Sequence, residues 1–149
     1  MPDDFSEFIT YLTDNARTSL HHATLIAQSY GSSYIGTEHL LLGVMAQGAS
    51  IGAKILADAG ITLDKAQISL NAVPIRANIT SGIMTKRLSE TAKLTLKMSW
   101  DIAQEFRQDY LGTEHILYSI LTQKNARATV LLRDMQADIP ALLSELEDY

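Results

Sequence analysis

Two short stretches decide the fold of this chain: GTEHLLLGVM at residues 36–45 and GTEHILYSIL at residues 112–121. Each begins with glycine, threonine, glutamate and histidine and continues into an apolar run. When the sequence is slid along itself so that Gly36 meets Gly112, other identical residues fall opposite one another without a gap. Examples are Ala16 with Ala92, Tyr34 with Tyr110, Leu56 with Leu132 and Asp58 with Asp134. This register indicates an internal duplication.

Each copy carries apolar residues at intervals of three and four, which is typical of amphipathic helices. Thr37 is predicted to cap one helix through its hydroxyl, and Ser50 another, which Gly60 closes in a left-handed conformation. The predicted helices begin at residues 13, 37, 50 and 62 or 64 in the first copy and at 89, 113, 125 and 138 in the second. We therefore expect an all-α fold of eight helices.

The same pattern predicts how the chain is divided. Residues 13–73 form the first repeat, residues 89–149 the second, and residues 74–88 a linker without helical periodicity. Residues 1–12 form an N-terminal extension with apolar residues at helical spacing. Because a unit of about 60 residues is marginally stable alone, the two repeats are expected to pack as one domain with pseudo-twofold symmetry.

The composition limits the classes of function. The chain has 149 residues, of which 46% are hydrophobic, so it can bury a core. It lacks an apolar run of about 18 residues and begins with an acidic segment, and we expect a cytoplasmic chain that meets no membrane. Zero cysteines exclude disulfides and thiolate chemistry. A net charge of −5 without a basic face argues against a nucleic-acid partner.

The repeated G-T-E-H has several chemical interpretations. Threonine and glutamate at a helix start can serve only as a cap and as a partner of the helix dipole. A metal site is disfavoured because neighbouring helical residues diverge and no HxxxH or HExxH spacing occurs, so no metal or other cofactor is expected. Hydrolytic catalysis is disfavoured because the chain lacks a GxSxG elbow, a cysteine nucleophile and a phosphate-binding loop.

A further interpretation makes Glu38 and Glu114 acceptors for a cation presented by a partner. A guanidinium group can donate two parallel hydrogen bonds to one carboxylate. The first helix of each repeat starts at Thr13 or Ser89, where free backbone N–H groups can bind an anion. If a helix start and a glutamate share a pocket, the pocket suits a group that is cationic at one end and anionic at the other, such as a phosphorylated arginine.

YIGTEHLLLG at residues 34–43 and YLGTEHILYS at residues 110–119 closely resemble a known family motif. Two such helical units resemble the N-terminal Clp repeat domain that precedes the ATPase modules of Clp-type AAA+ unfoldases, and the ClpC branch in particular. The resemblance extends from about Thr13 to the C-terminus. It has three departures: Ser89 stands where threonine is usual, KNARAT at residues 124–129 replaces a glycine-rich loop with a more basic one, and the extension before Thr13 is longer than usual.

The resemblance implies a docking domain without catalytic activity of its own. In the family this domain recruits adaptor proteins and substrates to a hexameric ring, which unfolds them with ATP and passes them to the ClpP protease. Some ClpC-type domains bind phosphoarginine in two equivalent pockets, one in each repeat. The matching residues are Thr13 with Glu38 and Ser89 with Glu114.

Two hypotheses about function remain open. The first is a recognition domain for adaptors and for arginine-phosphorylated or unfolded substrates. The second is a free-standing adaptor or structural interaction domain whose glutamates only stabilise helix starts. Because the 149 residues contain no nucleotide-binding sequence, the first hypothesis makes the chain a domain of a longer unfoldase.

Overall fold

The computed structural model describes residues 10–47, 50–69 and 87–148. These residues contain eight α-helices and one two-stranded sheet. The helices are α1 (Asp14–Ser29), α2 (Thr37–Ala46), α3 (Ile51–Asp58), α4 (Leu63–Ser69), α5 (Glu90–Glu105), α6 (Thr113–Thr122), α7 (Arg127–Asp134) and α8 (Ile139–Glu147). The strands are β1 (Tyr34–Ile35) and β2 (Arg87–Leu88). The predicted all-α fold with four helices in each repeat is confirmed.

Two predicted segments fall largely outside the described residues. The N-terminal extension is described only from Thr10 onward, and the predicted linker only at Arg87 and Leu88. These two linker residues are not irregular, because they form strand β2. The division into an extension, a linker and two repeats otherwise stays a prediction.

Polar side chains begin the helices at several of the predicted positions. Thr13 precedes α1, and its hydroxyl accepts a hydrogen bond from the N–H of Ala16 at 3.0 Å. Ser89 does the same for Ala92 at the start of α5, also at 3.0 Å. Side-chain oxygens of this kind satisfy N–H groups that have no partner inside the helix. The predicted starts of both long helices are confirmed.

The prediction that Thr37 caps its own helix is wrong. Gly36 is the residue that precedes α2, and its N–H donates to Nδ1 of His39 at 2.9 Å, which closes the first turn. The hydroxyl of Thr37 instead accepts from the N–H of Ala128 in α7, at 3.2 Å. Thr37 lies inside its own helix and not before it, so its hydroxyl is available to cap a helix of the opposite repeat.

The second signature makes the equivalent contact in the opposite direction. The hydroxyl of Thr113 accepts from the N–H of Gly52 in α3 at 3.1 Å, and the N–H of Gly112 donates to Nδ1 of His115 at 2.9 Å. Both contacts of threonine are buried. The two repeats are thus joined by a pair of equivalent buried hydrogen bonds.

Short parallel pairings also run between the repeats. In the sheet, Tyr34 and Ile35 of β1 lie beside Arg87 and Leu88 of β2. Leu12 forms the equivalent bridge with Leu111. The segment before each signature therefore pairs with the segment before the first helix of the other repeat.

The core is shared by both repeats. Helices α2 and α6 lie at its centre, and nearly every side chain of α2 is buried. The largest fully buried apolar side chains come from both halves: Leu40, Leu41, Leu42, Leu56, Leu96, Leu111, Ile116, Leu117, Ile120 and Leu132. In the described residues no single helix is long and apolar enough to cross a membrane. Helices α2 and α3 meet the length and hydropathy criterion only together, as a bent pair.

Left-handed residues end the first and third helices of each repeat. Gly31 has φ +70° and Gly60 has φ +82°, as the sequence predicts for Gly60. Their counterparts in the second repeat are Arg107 with φ 60° and Gln136 with φ 63°. The duplicated turns have the same backbone conformation although the second copy lacks glycine, the residue that adopts it most easily.

Candidate functional site

Glu38 lies at the second position of α2, with its side chain folded back toward Gly36. A Cβ atom at position 36 would lie 2.5 Å from Oε1 of Glu38, which is closer than atoms tolerate. Gly112 leaves room for Glu114 in the same way. The backbone of Gly36 has φ −96°, which any residue adopts, so the glycine is required for space and not for its conformational freedom.

The carboxylate of Glu38 is nine-tenths buried and its two oxygens have different surroundings. Oε2 lies 3.1 Å from Nε of Arg127, the first residue of α7, and the side chain of Arg127 is 78% exposed. Oε1 is buried and has no hydrogen-bond partner among the described residues. One edge of the carboxylate therefore faces an exposed guanidinium group of the protein itself.

A cleft of about 590 Å³ opens over Glu38, and we call it the first cleft. It is lined by the signature loop of the first repeat and by the start of α5 and the α6–α7 loop of the second. Its lining includes Tyr34, Glu38, Ser89, Lys124 and Arg127. The cleft thus combines a buried carboxylate with a helix N-terminus, whose free N–H groups favour an anion.

The expected pairing of helix starts with glutamates is wrong. Ser89 lies in the first cleft with Glu38, and its N–H donates to the carbonyl of Ile35 at 2.9 Å. Thr13 lies beside the second signature, where its N–H donates to the carbonyl of Leu111 at 3.0 Å. The pairings are Ser89 with Glu38 and Thr13 with Glu114, because the parallel strand pairings carry each helix start to the opposite repeat.

Glu114 occupies the equivalent place in the second signature, beside the start of α1, and by symmetry with the first cleft we call the region between residues 112–114 and Thr13 the second cleft. Burial raises the pKa of Glu114, while hydrogen bonds from its own backbone N–H and from the side chain of Tyr110 act in the opposite direction. The ring of Tyr110 also lies 5.3 Å from that of His115. Its counterpart Tyr34 is 53% exposed, so the two clefts are not identical.

The signature histidines are buried, and each accepts a hydrogen bond from a backbone N–H group. Burial lowers the pKa of His115 to about 4, and it also lowers the pKa of His39. Both rings are therefore neutral near pH 7, as an Nδ1 atom that accepts a hydrogen bond requires. Nε2 of His115 contacts the side-chain oxygen of Gln108. In the described parts of the chain, no group of three or more histidine or acidic side chains is placed to hold a metal ion.

Sequence reasoning missed Lys124 and Arg127 as residues of the site. The basic character of the loop at 124–129 is visible in the sequence, but its position over Glu38 is not. That position follows from the crossed packing of the repeats, in which the start of α7 lies against the signature of α2. No sequence pattern within one repeat predicts that its signature packs against a helix of the other repeat.

The chain is similar to known proteins over most of its length. The family model described as the Clp repeat (R) N-terminal domain matches residues 11–83 and 87–149. The chaperone protein ClpC3 of Oryza sativa, a chloroplastic protein, is 34% identical over 136 residues, covering 90% of this chain and 14% of the relative. The ClpA homolog of Cyanidium caldarium, named as an ATP-binding subunit of the ATP-dependent Clp protease, is 30% identical over 122 residues. That match covers 80% of this chain and 14% of the relative.

A solved structure has the same fold. The N-terminal domain of the chaperone ClpD from Arabidopsis thaliana superposes with a TM-score of 0.77 at 20% identity, over 93% of this chain and 94% of that one. The chain spans about one seventh of the length of the curated relatives described above. The likeness to ClpD concerns the fold alone.

Proposed function

Because the chain belongs to the Clp repeat (R) N-terminal domain family, we propose that it is the recognition domain of a ClpC-type AAA+ unfoldase. In this proposal it binds adaptor proteins and protein substrates and has no catalytic activity of its own. The complete unfoldase is a hexamer that delivers proteins to the ClpP protease. The proposed compartment is the cytoplasm, although ClpC3 of Oryza sativa is a chloroplastic protein.

The proposal includes phosphoarginine as a ligand of the two clefts. The observation that carries it is the meeting of a buried glutamate with the start of a long helix from the other repeat. The guanidinium part of the ligand donates to the carboxylate of Glu38 or Glu114. The phosphoryl oxygens accept from the first-turn N–H groups of the helix that begins after Ser89 or Thr13. Each cleft thereby binds both the cationic guanidinium group and the anionic phosphoryl group of one side chain.

Titration calorimetry with free phosphoarginine tests this part of the proposal. We expect measurable binding to the unmodified chain and loss of the heat signal in the double variant Glu38→Ala, Glu114→Ala. The double variant Glu105→Ala, Glu145→Ala has the same charge change on exposed helix positions and serves as the control. Unchanged binding after loss of Glu38 and Glu114, or no heat with the unmodified chain, contradicts phosphoarginine recognition.

An adaptor or structural domain without phosphoarginine binding is the second candidate. It is favoured by the contact between Glu38 and Arg127, which already gives one carboxylate an internal partner. If this candidate is correct, removing the two glutamates lowers stability by roughly 1 kcal/mol each and leaves adaptor binding intact. Urea unfolding of the same two double variants, beside adaptor pull-down, separates the candidates.

A further inference from the structure

The two clefts differ at a position that the duplication makes equivalent. Arg127 is the first residue of α7, one residue before the N–H that Thr37 caps. Ile51 is the first residue of α3, one residue before the N–H that Thr113 caps. Arg127 pairs with Glu38 at 3.1 Å, whereas an isoleucine cannot pair with Glu114. The difference therefore concerns the carboxylate that would receive a guanidinium group.

We infer that Arg127 is a built-in competitor for the first cleft, so that the second cleft binds guanidinium ligands more tightly. The inference rests on the proposed function for the nature of the ligand. Arg127 then determines specificity between two sites that the duplication would otherwise make equal.

The geometry of Glu38 explains why a single arginine is sufficient. Oε1 is turned under Gly36 and buried, which leaves Oε2 as the oxygen that faces a charged partner. A ligand guanidinium must displace Arg127 from Oε2 or share that oxygen with it. Lys124 lines the same cleft and adds a second positive charge. Like charges in one cleft oppose the entry of a ligand that is only a cation.

The second cleft presents a different partner to its carboxylate. The Tyr110 side chain that hydrogen-bonds Glu114 carries no positive charge, so it does not repel an incoming guanidinium. At the sequence position that corresponds to Arg127, the chain has Ile51. Among the described contacts of Glu114, its carboxylate therefore has no positively charged partner that an incoming cation must displace.

Nuclear magnetic resonance can follow the two clefts separately in the intact chain. The backbone amide signals of Gly36 and Gly112 report the first and second cleft, and the probes are phosphoarginine and N-methylguanidinium. With N-methylguanidinium, which carries no anionic group, we expect the Gly112 signal to reach its midpoint at roughly a fivefold lower concentration than the Gly36 signal, as an ion pair of modest strength implies.

Exchanging the two equivalent residues provides the decisive variants. Arg127→Ile is expected to lower the midpoint at Gly36 about fivefold without moving that at Gly112. Ile51→Arg is expected to weaken binding at Gly112 by a similar factor. Arg133→Ala removes an exposed positive charge from the same helix α7 and is expected to change neither midpoint. The spectra also show directly whether each variant is folded.

Each outcome has a defined meaning. For N-methylguanidinium, equal midpoints in the unmodified chain, earlier saturation at Gly36, or an Arg127→Ile variant that binds no better at Gly36 overturns the inference. If N-methylguanidinium follows the expected order while phosphoarginine binds nowhere, the inference stands and phosphoarginine recognition fails. If neither probe moves either signal in any variant, both fail.

Discussion

Glycine, the first residue of each signature, is present because of a side chain two positions later. The carboxylates of Glu38 and Glu114 occupy the space that a Cβ atom at Gly36 or Gly112 would need. A larger residue would push the carboxylate outward and change the direction in which it meets a ligand. The glycine is therefore part of the site although it offers no side chain to a partner.

The variant Gly112→Ala tests this dependence. The added methyl group meets the far end of a flexible side chain, so we expect a loss of unfolding free energy of no more than about 1 kcal/mol. Phosphoarginine affinity at the second cleft is expected to fall about tenfold, because Glu114 no longer lies in its place. Urea unfolding and the amide titration measure the two effects. Gly36→Ala is the matched control and should leave the second cleft unchanged.

A second prediction concerns the pH dependence of His115. Its pKa is about 4 in the folded chain and 6.5 as an ordinary histidine, so between these values the unfolded chain binds a proton that the folded chain does not. The stability contribution is complete above pH 6.5 and is lost as the pH falls toward 4. We expect the unmodified chain to lose on the order of 1 kcal/mol more than His115→Asn between pH 7 and pH 5.

Urea unfolding at the two pH values makes this comparison. Asparagine retains a side-chain oxygen that can accept from the N–H of Gly112, so the cap survives in the variant. Glu114, whose pKa is raised, has the opposite effect on the pH dependence and is common to both proteins. Parallel pH profiles for the two proteins would show that the burial of His115 does not affect its titration.

The sequence predicts the importance of Glu38 and Glu114 because both recur in register. It does not predict the contacts that the neighbouring residues make. Threonine before a helix is normally its cap, and that rule gives the wrong partner for Thr37. The local pattern cannot show that Nδ1 of His39 already receives the N–H of Gly36. Arg127 escapes prediction for a related reason, since its contact with Glu38 lies across the repeats.

At the scale of elements, each signature threonine holds the start of a helix in the other repeat. Replacing Thr113 with valine keeps the shape and leaves the buried N–H of Gly52 without an acceptor. We expect a loss of about 1–2 kcal/mol in unfolding free energy, measured by urea denaturation. Thr62→Val is the control, because Thr62 caps α4 through an exposed and longer bond to Lys65 at 3.4 Å. Equal losses in both variants would contradict the role of the buried contact.

Helix ends show how far local rules extend. Ser50 and Gly60 begin and end α3 as capping preferences predict. In the second repeat, Arg107 and Gln136 adopt the same left-handed turn that glycine adopts in the first. Residue preference alone would not place a left-handed turn there. The equivalent position in the other copy is what identifies it.

At the scale of the whole molecule, the contacts between repeats predict that neither repeat folds alone. A fragment of residues 1–83 lacks the partners of Thr37 and β1, and a fragment of residues 84–149 lacks those of Thr113 and Leu111. We expect little cooperative unfolding by circular dichroism for either fragment, and recovery of the native amide spectrum when the two are mixed. A cooperative transition in one isolated fragment would show that the shared core is dispensable.

The sequence predicts one pseudo-twofold domain correctly because a repeat of this length buries too little surface alone. It does not reveal which surfaces meet. A gap-free register is compatible with packing in which each repeat completes its own cleft, and the pairing of Thr13 with Glu38 assumed that arrangement. The parallel pairing of Ile35 with Leu88, and of Leu12 with Leu111, distinguishes the crossed arrangement from the uncrossed one.

The crossed pairing has a consequence for what one repeat can form by itself. A single repeat carries both halves of a cleft but does not bring them together within itself. Two identical copies related by a twofold axis complete both clefts at once, through an interface to which each copy contributes the same surface. The present chain has the interface of such a pair within one polypeptide. Because both halves belong to one chain, their sequences can differ, as they do at Arg127 and Ile51.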